Sequence, residues 1–260
     1  MRRPARWLIR EPSAGSDARL FCIPYSGCGA SMYRQWPQFL DGIEICPVQL
    51  PGRENRMREP AYGTYEEMAD GLVDGLAPYL DKPFGFFGQC GSALAAVETT
   101  IRLAERGLPV PKRLFLSSQV APHDPPYGRL LGMTNPQLRD ELRFLFAELG
   151  AEPPEDLVDL AHEILITDME ATRKYRHDHA VDLPTPITAI AWTRDIDVPA
   201  ELTKGWSDYA PTTFELLEGV HYTFLEAPAS LRAVIVRDLG VGLGPSPGVG
   251  PGVGPGKGMQ

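Results

Sequence analysis

A glycine-flanked cysteine in the first half of the chain has the setting of a catalytic nucleophile. Cys90 lies in the stretch Gly88-Gln89-Cys90-Gly91-Ser92, after an apolar run and before an alanine-rich helical segment. The pattern follows the nucleophile elbow G-x-S-x-G, with cysteine in place of the serine and serine in place of the last glycine. Small residues are required there because the nucleophile is held in a strained turn. The alternative interpretation is a buried cysteine that packs as a small apolar side chain.

A nucleophile of this kind needs a base, and the base needs an acid that orients it. Among the five histidines, His221 stands out because it directly follows a late strand, in EGVHYTFLEAP at 218–228. The acid is Asp195 or Asp197, which follow another strand in WTRDIDVP at 192–199. His177 and His179 have the H-x-H spacing of a metal pair, but no third ligand at suitable spacing stands out. We therefore predict no metal site.

The elements that must position these residues alternate between strands and helices. Strands are expected at 19–24, 44–49, 83–88, 113–118, 186–192 and 213–217. Helices are expected at 64–80, 92–106 and 228–239, the first with a capping box formed by Thr64 and Glu67. The pattern from 135 to 175 is helical, which indicates an insertion of the kind that often forms a lid. The alternation predicts an α/β fold with a mainly parallel sheet.

Composition excludes several functional classes. The chain has 260 residues, a net charge of −9 and 43% apolar residues. It lacks the basic patch of a nucleic-acid or anionic-membrane protein, an apolar run of about 18–20 residues, and a secretory signal. Four cysteines without metal-ligand spacing indicate reduced thiols in the cytoplasm. Residues 240–260 are rich in glycine and proline and predicted to be disordered, which leaves one domain at 1–239 with a lid at about 124–180.

Seven stretches spread over residues 18–240 resemble the type II thioesterases of polyketide and nonribosomal peptide synthesis. They are LFCIPYSGCGAS (20–31), WPQFL (36–40), VQLPGRENR (48–56), FGQCGSALA (87–95), LFLSSQVAP (114–122), D-x-x-V (195–198) and GVHYTFL (219–225). The resemblance implies an α/β-hydrolase fold in which Cys90 is the nucleophile, Asp195 the acid and His221 the base. It also implies oxyanion donors from the backbone of Ser26 and Gly91, and a helical lid over an acyl channel.

The same resemblance implies a substrate and a partner. These enzymes act on acyl groups held by the phosphopantetheine of an acyl or peptidyl carrier protein, without a cofactor of their own, and a monomer is expected. Arginines at the entrance could contact an acidic carrier, and Arg53, Arg56 and Arg58 are the candidates.

The outcome of the reaction stays open because the elbow departs from the G-H-S-M-G usual in this family. A thioester on Cys90 has about the same energy as the phosphopantetheine thioester, whereas an ester on serine lies downhill. Hydrolytic release or editing is the family's usual reaction. Acyl or aminoacyl transfer between carriers, and cyclisation with release of the chain, use the same intermediate. Further alternatives are a non-catalytic scaffold that binds carrier proteins and an unrelated cysteine hydrolase of small esters or lactones.

Overall fold

A computed structural model describes residues 7–240 of the chain, which are built around a seven-stranded sheet. The strands are β1 (Ala18–Cys22), β2 (Phe39–Leu40), β3 (Ile43–Pro47), β4 (Phe84–Gln89), β5 (Arg113–Ser117), β6 (Ile187–Trp192) and β7 (Thr212–Leu217). Their order in the sheet is β2-β3-β1-β4-β5-β6-β7. Neighbouring strands pair in parallel, except that β2 is antiparallel to β3. The prediction of a mainly parallel sheet is confirmed.

Five α-helices accompany the sheet within the described residues. They are α1 (Tyr65–Leu76), α2 (Gly91–Glu105), α3 (Asn135–Glu148), α4 (Glu155–Lys174) and α5 (Ala229–Leu239). The sequence pattern did not predict β2 or short 3-10 helices such as 54–56 and 129–132. Segments of two to four residues are too short to show a hydrophobic period.

The predicted capping box at the start of α1 is only half formed. The Thr64 hydroxyl accepts a hydrogen bond from the Glu67 N–H at 3.2 Å, as expected. The Glu67 carboxylate, however, accepts from the N–H of Gly63 at 3.1 Å instead of returning to Thr64. The carboxylate still satisfies a backbone donor just ahead of the helix, one residue earlier than the standard motif.

Both faces of the sheet are buried along β1, β3, β4, β5 and β6, which explains why these strands are apolar runs without alternation. The edge strand β7 is largely exposed. Successive residues of β4 point to opposite faces. Phe86 belongs to the apolar layer beneath α1 and α2, and Phe87 to the layer that includes α5 and the helical insertion. The middle strand of the sheet, β4, therefore holds Cys90 at its carboxyl end, where the two packed layers support it.

The helical insertion lies between β5 and β6, where the sequence predicted it, and α3 packs against α4. Its side chains reach the loop after β1: a Cβ atom placed on Gly27 would lie 3.1 Å from Leu165 of α4 and 3.6 Å from Leu142 of α3. No helix within residues 7–240 has the length and apolarity needed to cross a membrane. Apart from Gly240, the segment predicted to be disordered lies outside the described residues.

Candidate active site

The turn at Cys90 has the strained geometry that the sequence motif predicts. Cys90 has φ +55° and ψ −131°, and it lies between the end of β4 and the first residue of α2. A Cβ atom on Gly88 would lie 2.5 Å from the backbone nitrogen of Ala93, so only glycine fits there. The Ser92 hydroxyl accepts from the N–H of Gln89 and donates to its carbonyl, both at 2.9 Å. Ser92, at the position of the usual last glycine, therefore braces the turn.

Gly91 leaves room for side chains that cross the elbow. A Cβ atom on Gly91 would lie 2.7 Å from the Tyr65 hydroxyl and 2.9 Å from the Ser26 hydroxyl. The Tyr65 hydroxyl is in turn hydrogen-bonded to Thr172 of α4 at 2.9 Å. The methionine that is usual here in type II thioesterases would collide with these groups. The absence of a side chain at Gly91 therefore matches the positions of the Tyr65 and Ser26 hydroxyls.

The structure brings together His221 and Asp195, which lie in the loops after β7 and β6. Nδ1 of His221 is 3.0 and 3.1 Å from the two carboxylate oxygens of Asp195, and 3.6 Å from the nearer oxygen of Asp197. The Asp195 carboxylate also accepts from the N–H groups of Asp197 and Val198, and from the hydroxyl of Ser118 at 2.7 Å. The geometry therefore favours Asp195 over Asp197 as the partner of the imidazole.

Burial and hydrogen bonding set the charge of this pair. Burial lowers the pKa of His221, but its hydrogen bond to Asp195 and the neighbouring Cys90 outweigh burial and raise the pKa to about 10. Burial raises the pKa of Asp195, but the hydrogen bond from His221 outweighs it and holds the pKa below its usual range. The second ring nitrogen, Nε2 of His221, is buried and has no hydrogen-bond partner. The pair can therefore hold a proton at Nε2 beside the thiol of Cys90.

Several residues that sequence reasoning missed hold His221 in place. The rings of Tyr25 and Tyr222 contact the imidazole edge-on, with centroids 5.8 and 5.2 Å away. The side-chain amide of Gln89 donates to the carbonyl of His221 at 2.9 Å. Ser118, which supports the acid, has a positive φ of +50° immediately after β5. Its position at the end of a strand next to β4 was the signal available in the sequence.

The loop after β1 and the start of α2 present backbone donors near Cys90. The N–H groups of Gly27 and Cys28 are already used, by the Asp168 carboxylate at 2.8 Å and the Tyr25 carbonyl at 2.9 Å. Within residues 7–240 the N–H of Ser26 and that of Gly91 have no hydrogen-bond partner. The Ser26 side chain lies against Gly91, so the two residues are neighbours at the elbow. They can serve as the oxyanion hole that the sequence predicts.

Two of the three arginines expected at the entrance are buried, so that prediction is wrong for Arg53 and Arg56. Arg53 donates to Asp168 of α4 at 2.7 Å and to the carbonyl of Cys28 at 2.9 Å. Arg56 donates to the carbonyl of Gln49 at 2.8 Å. Their side chains therefore join loops and the helical insertion inside the protein. Arg58 is exposed, and its role in carrier binding stays a prediction.

A cavity of about 230 Å³ lies between the helical insertion and the loops after β1 and β3. Most of its walls are apolar side chains of α3, α4 and nearby loops, namely Met32, Met57, Phe146, Leu149, Leu157, Leu160, Ala161 and Ile164. Gly27 and Cys28, which follow Ser26, form part of the same wall. The cavity can hold an apolar chain close to the proposed oxyanion donors.

The side chains that could bind a metal ion have other partners in the structure. His177 is hydrogen-bonded through its two ring nitrogens to the hydroxyls of Tyr209 and Tyr175, both at 3.0 Å. Within the described residues, the metal-compatible group is Asp195, Asp197 and His221, whose ligand atoms lie within 4.8 Å of one another. The Nδ1 of His221 already donates to Asp195, and the guanidinium of Arg129 pairs with Asp197. Asp195, Asp197 and His221 therefore form part of a hydrogen-bonded network of charged groups.

Comparison with known proteins assigns this arrangement to a family. Residues 18–237 match the thioesterase domain family. The chain is 30% identical to linear gramicidin dehydrogenase LgrE of Brevibacillus parabrevis, over 89% of this chain and 92% of that protein.

Solved structures agree with this match. The type II thioesterase BorB from the borrelidin biosynthetic cluster is 26% identical, with a TM-score of 0.77 over 90% of this chain and 98% of that one. The RedJ thioesterase of the prodiginine biosynthetic pathway of Streptomyces coelicolor is 30% identical, with a TM-score of 0.74 over 89% and 96%. The chain has the α/β-hydrolase fold and belongs to the thioesterase domain family.

Proposed function

We propose that this enzyme hydrolyses acyl groups from the phosphopantetheine of a carrier protein in polyketide or nonribosomal peptide biosynthesis, through a thioester on Cys90. The observation that carries the proposal is the placement of Cys90 on a strained elbow beside His221, whose Nδ1 is held by Asp195 and whose Nε2 has no partner. BorB, a type II thioesterase of the borrelidin biosynthetic cluster, and RedJ, a thioesterase of the prodiginine biosynthetic pathway, support a substrate in a biosynthetic pathway.

In the acylation step, the Sγ of Cys90 attacks the carbonyl carbon of the carrier-bound thioester as a thiolate. The negative charge that develops on the carbonyl oxygen is stabilised by the N–H groups of Ser26 and Gly91. Collapse of the tetrahedral intermediate breaks the bond to the phosphopantetheine sulfur, which takes the proton from Nε2 of His221. Asp195 stabilises the imidazolium in the first part of this step and fixes its orientation.

In the deacylation step, the neutral imidazole of His221 removes a proton from a water molecule as the water attacks the acyl carbon. The same two N–H groups receive the oxyanion, and the Cys90 sulfur leaves. The products are the free acid and the thiolate–imidazolium pair, so the enzyme returns to its starting charge state. The apolar cavity against Gly27 is the proposed position of the acyl chain.

Intact-protein mass spectrometry with acylated carrier proteins tests this proposal. The wild-type protein is expected to gain the mass of one acyl group, and peptide mapping is expected to find it on Cys90. Cys90→Ala should form no adduct and should release no free acid. Cys46→Ala is the matched control because this thiol is buried in β3, outside the cavity, and its adduct should equal that of the wild type. Carrier binding without an adduct would contradict the proposal and indicate a scaffold.

The cysteine at the elbow favours acyl transfer or cyclisation as the second candidate function. A thioester on Cys90 is close in energy to the substrate thioester, so attack by an amine or a second thiol is thermodynamically accessible. The same incubation separates the outcomes when a second, unloaded carrier is present. Free acid supports hydrolysis, whereas the acyl group on the second carrier or a ring product supports transfer or cyclisation.

A further inference from the structure

Two charged residues of the helical insertion contact both loops that carry the proposed acid and base. Arg129, ahead of α3, donates from Nε to Asp197 and from its two terminal nitrogens to Glu141 of α3, at 2.9 and 2.7 Å. Glu141 also accepts from the hydroxyl of Tyr222 at 2.8 Å. Tyr222 is the residue next to His221 and packs against its ring. The insertion therefore contacts the catalytic loops through an ion-pair network.

Asp197 is a second carboxylate within reach of the imidazole. Its oxygen lies 3.6 Å from Nδ1 of His221, and its side chain is only 6% exposed. A buried carboxylate without a counter-charge would move toward the nearest cation or donor, because burial of an unpaired charge is costly. Here that donor would be the Nδ1–H of His221, which Asp195 now holds. Arg129 supplies the competing cation on the opposite oxygen of Asp197.

We propose that Arg129 is a positioning residue. By pairing with Asp197 it leaves Asp195 as the sole hydrogen-bond partner of Nδ1 of His221, and its bond to Glu141 makes this arrangement depend on the position of α3. The inference rests on the proposed function for its catalytic meaning. The charge and orientation of the His221 imidazole can be measured without substrate turnover.

The charged groups around the imidazole determine whether replacing Arg129 raises or lowers the pKa of His221. Those that face His221 or lie beside it are Asp195 and Asp197 of the loop after β6, Cys90 of the elbow, Tyr25 of the loop after β1, Tyr222, and Glu141 of α3. Three of them are carboxylates, and Arg129 is the cation that pairs with two of these. Removing that cation exposes His221 to more uncompensated negative charge, which favours the imidazolium.

Nuclear magnetic resonance titration of the His221 ring nitrogens tests the proposal. A Cys90→Ala background removes titration of the thiol, and loss of the signal in His221→Gln assigns it. Adding Arg129→Gln is expected to raise the titration midpoint of His221 by about one pH unit, at the lower end of the shift that a nearby charge causes. Arg129→Lys keeps the charge and is expected to restore most of the difference.

Arg139→Gln is the matched control, because Arg139 is another arginine of the helical insertion and pairs with Glu155 and Asp159 of α4, away from the catalytic loops. It should leave the His221 midpoint unchanged. An unchanged or lowered midpoint in Arg129→Gln, or an equal rise in Arg139→Gln, would overturn the inference. In the enzyme with Cys90 intact, Arg129→Gln should lower kcat with little change in KM. Because the ring titration needs no substrate, it can succeed even if no acyl adduct forms on Cys90.

Discussion

Removal of the Asp168 carboxylate is expected to destabilise the protein by about 3–5 kcal/mol. Asp168 of α4 accepts from Arg53 at 2.7 Å and from the N–H of Gly27 at 2.8 Å. The Arg53 and Asp168 side chains are 5% and 7% exposed. Asp168→Ala therefore leaves a guanidinium buried without a counter-charge, which is the costly way to break such a pair. The orphaned N–H of Gly27 adds about 1–3 kcal/mol if water does not reach it.

Urea unfolding followed by circular dichroism measures this loss. Asp159→Ala is the matched control on the same helix, because Asp159 pairs with Arg139 but is 58% exposed. An exposed ion pair contributes at most about 1 kcal/mol. The double variant Arg53→Met/Asp168→Leu is expected to recover much of the loss, because it removes both charges and refills the space.

Equal losses of unfolding free energy in Asp168→Ala and Asp159→Ala would refute this reasoning. So would a double variant no more stable than Asp168→Ala. Either result would mean that the Arg53 guanidinium finds solvent or another partner when the carboxylate is removed. The slope of unfolding free energy against urea should stay constant across the set, since a change would indicate that the native or denatured state had itself altered.

Three further predictions concern the catalytic loops. Ser118→Ala should lower kcat/KM for thioester hydrolysis about tenfold to a hundredfold, because a hydrogen bond to a charged group contributes about 1.5–3 kcal/mol and Asp195 loses that donor. Gly91→Ala should lower both kcat and the Tm, because the new Cβ would lie 2.7 Å from the Tyr65 hydroxyl. The difference in unfolding free energy between the wild type and His221→Gln should decrease as the pH rises from about 6.5 to about 10. The reason is that the pKa of His221 is raised from 6.5 to about 10, so its stabilisation is full below the lower value and lost as pH rises through the higher.

Each of these predictions has a control in the chain. Ser207→Ala removes an exposed hydroxyl bonded to the carbonyl of Lys204 and should leave kcat/KM unchanged. Gly132→Ala adds a methyl group where no atom lies within 4 Å and should preserve kcat and the Tm. His179→Gln, at an exposed histidine, should leave the pH dependence of stability as it is in the wild type. A response of any control equal to that of its partner variant would contradict the stated cause.

Local sequence determined most of the secondary structure and identified two residues of the candidate site, Cys90 and His221. The apolar runs and the helical periods predict the six long strands and the helices α1, α2 and α5 to within a few residues, and the helical character of the insertion. The elbow at Cys90 was visible because a strand, small residues and a helix follow one another directly in the chain. The position of His221 after a late strand was visible for the same reason. These features depend on neighbours in sequence, which is the information that a pattern contains.

Tertiary structure decided which partners those residues have. Asp195 and Asp197 are two residues apart in one loop, and the sequence alone does not distinguish their side-chain directions. The fold does so, because Ser118 donates to one carboxylate and Arg129 pairs with the other. Likewise, the burial of Arg53 depends on Asp168, 115 residues away in the chain. Such contacts form only when distant segments pack together, so a local pattern identifies the chemical groups but not their pairing.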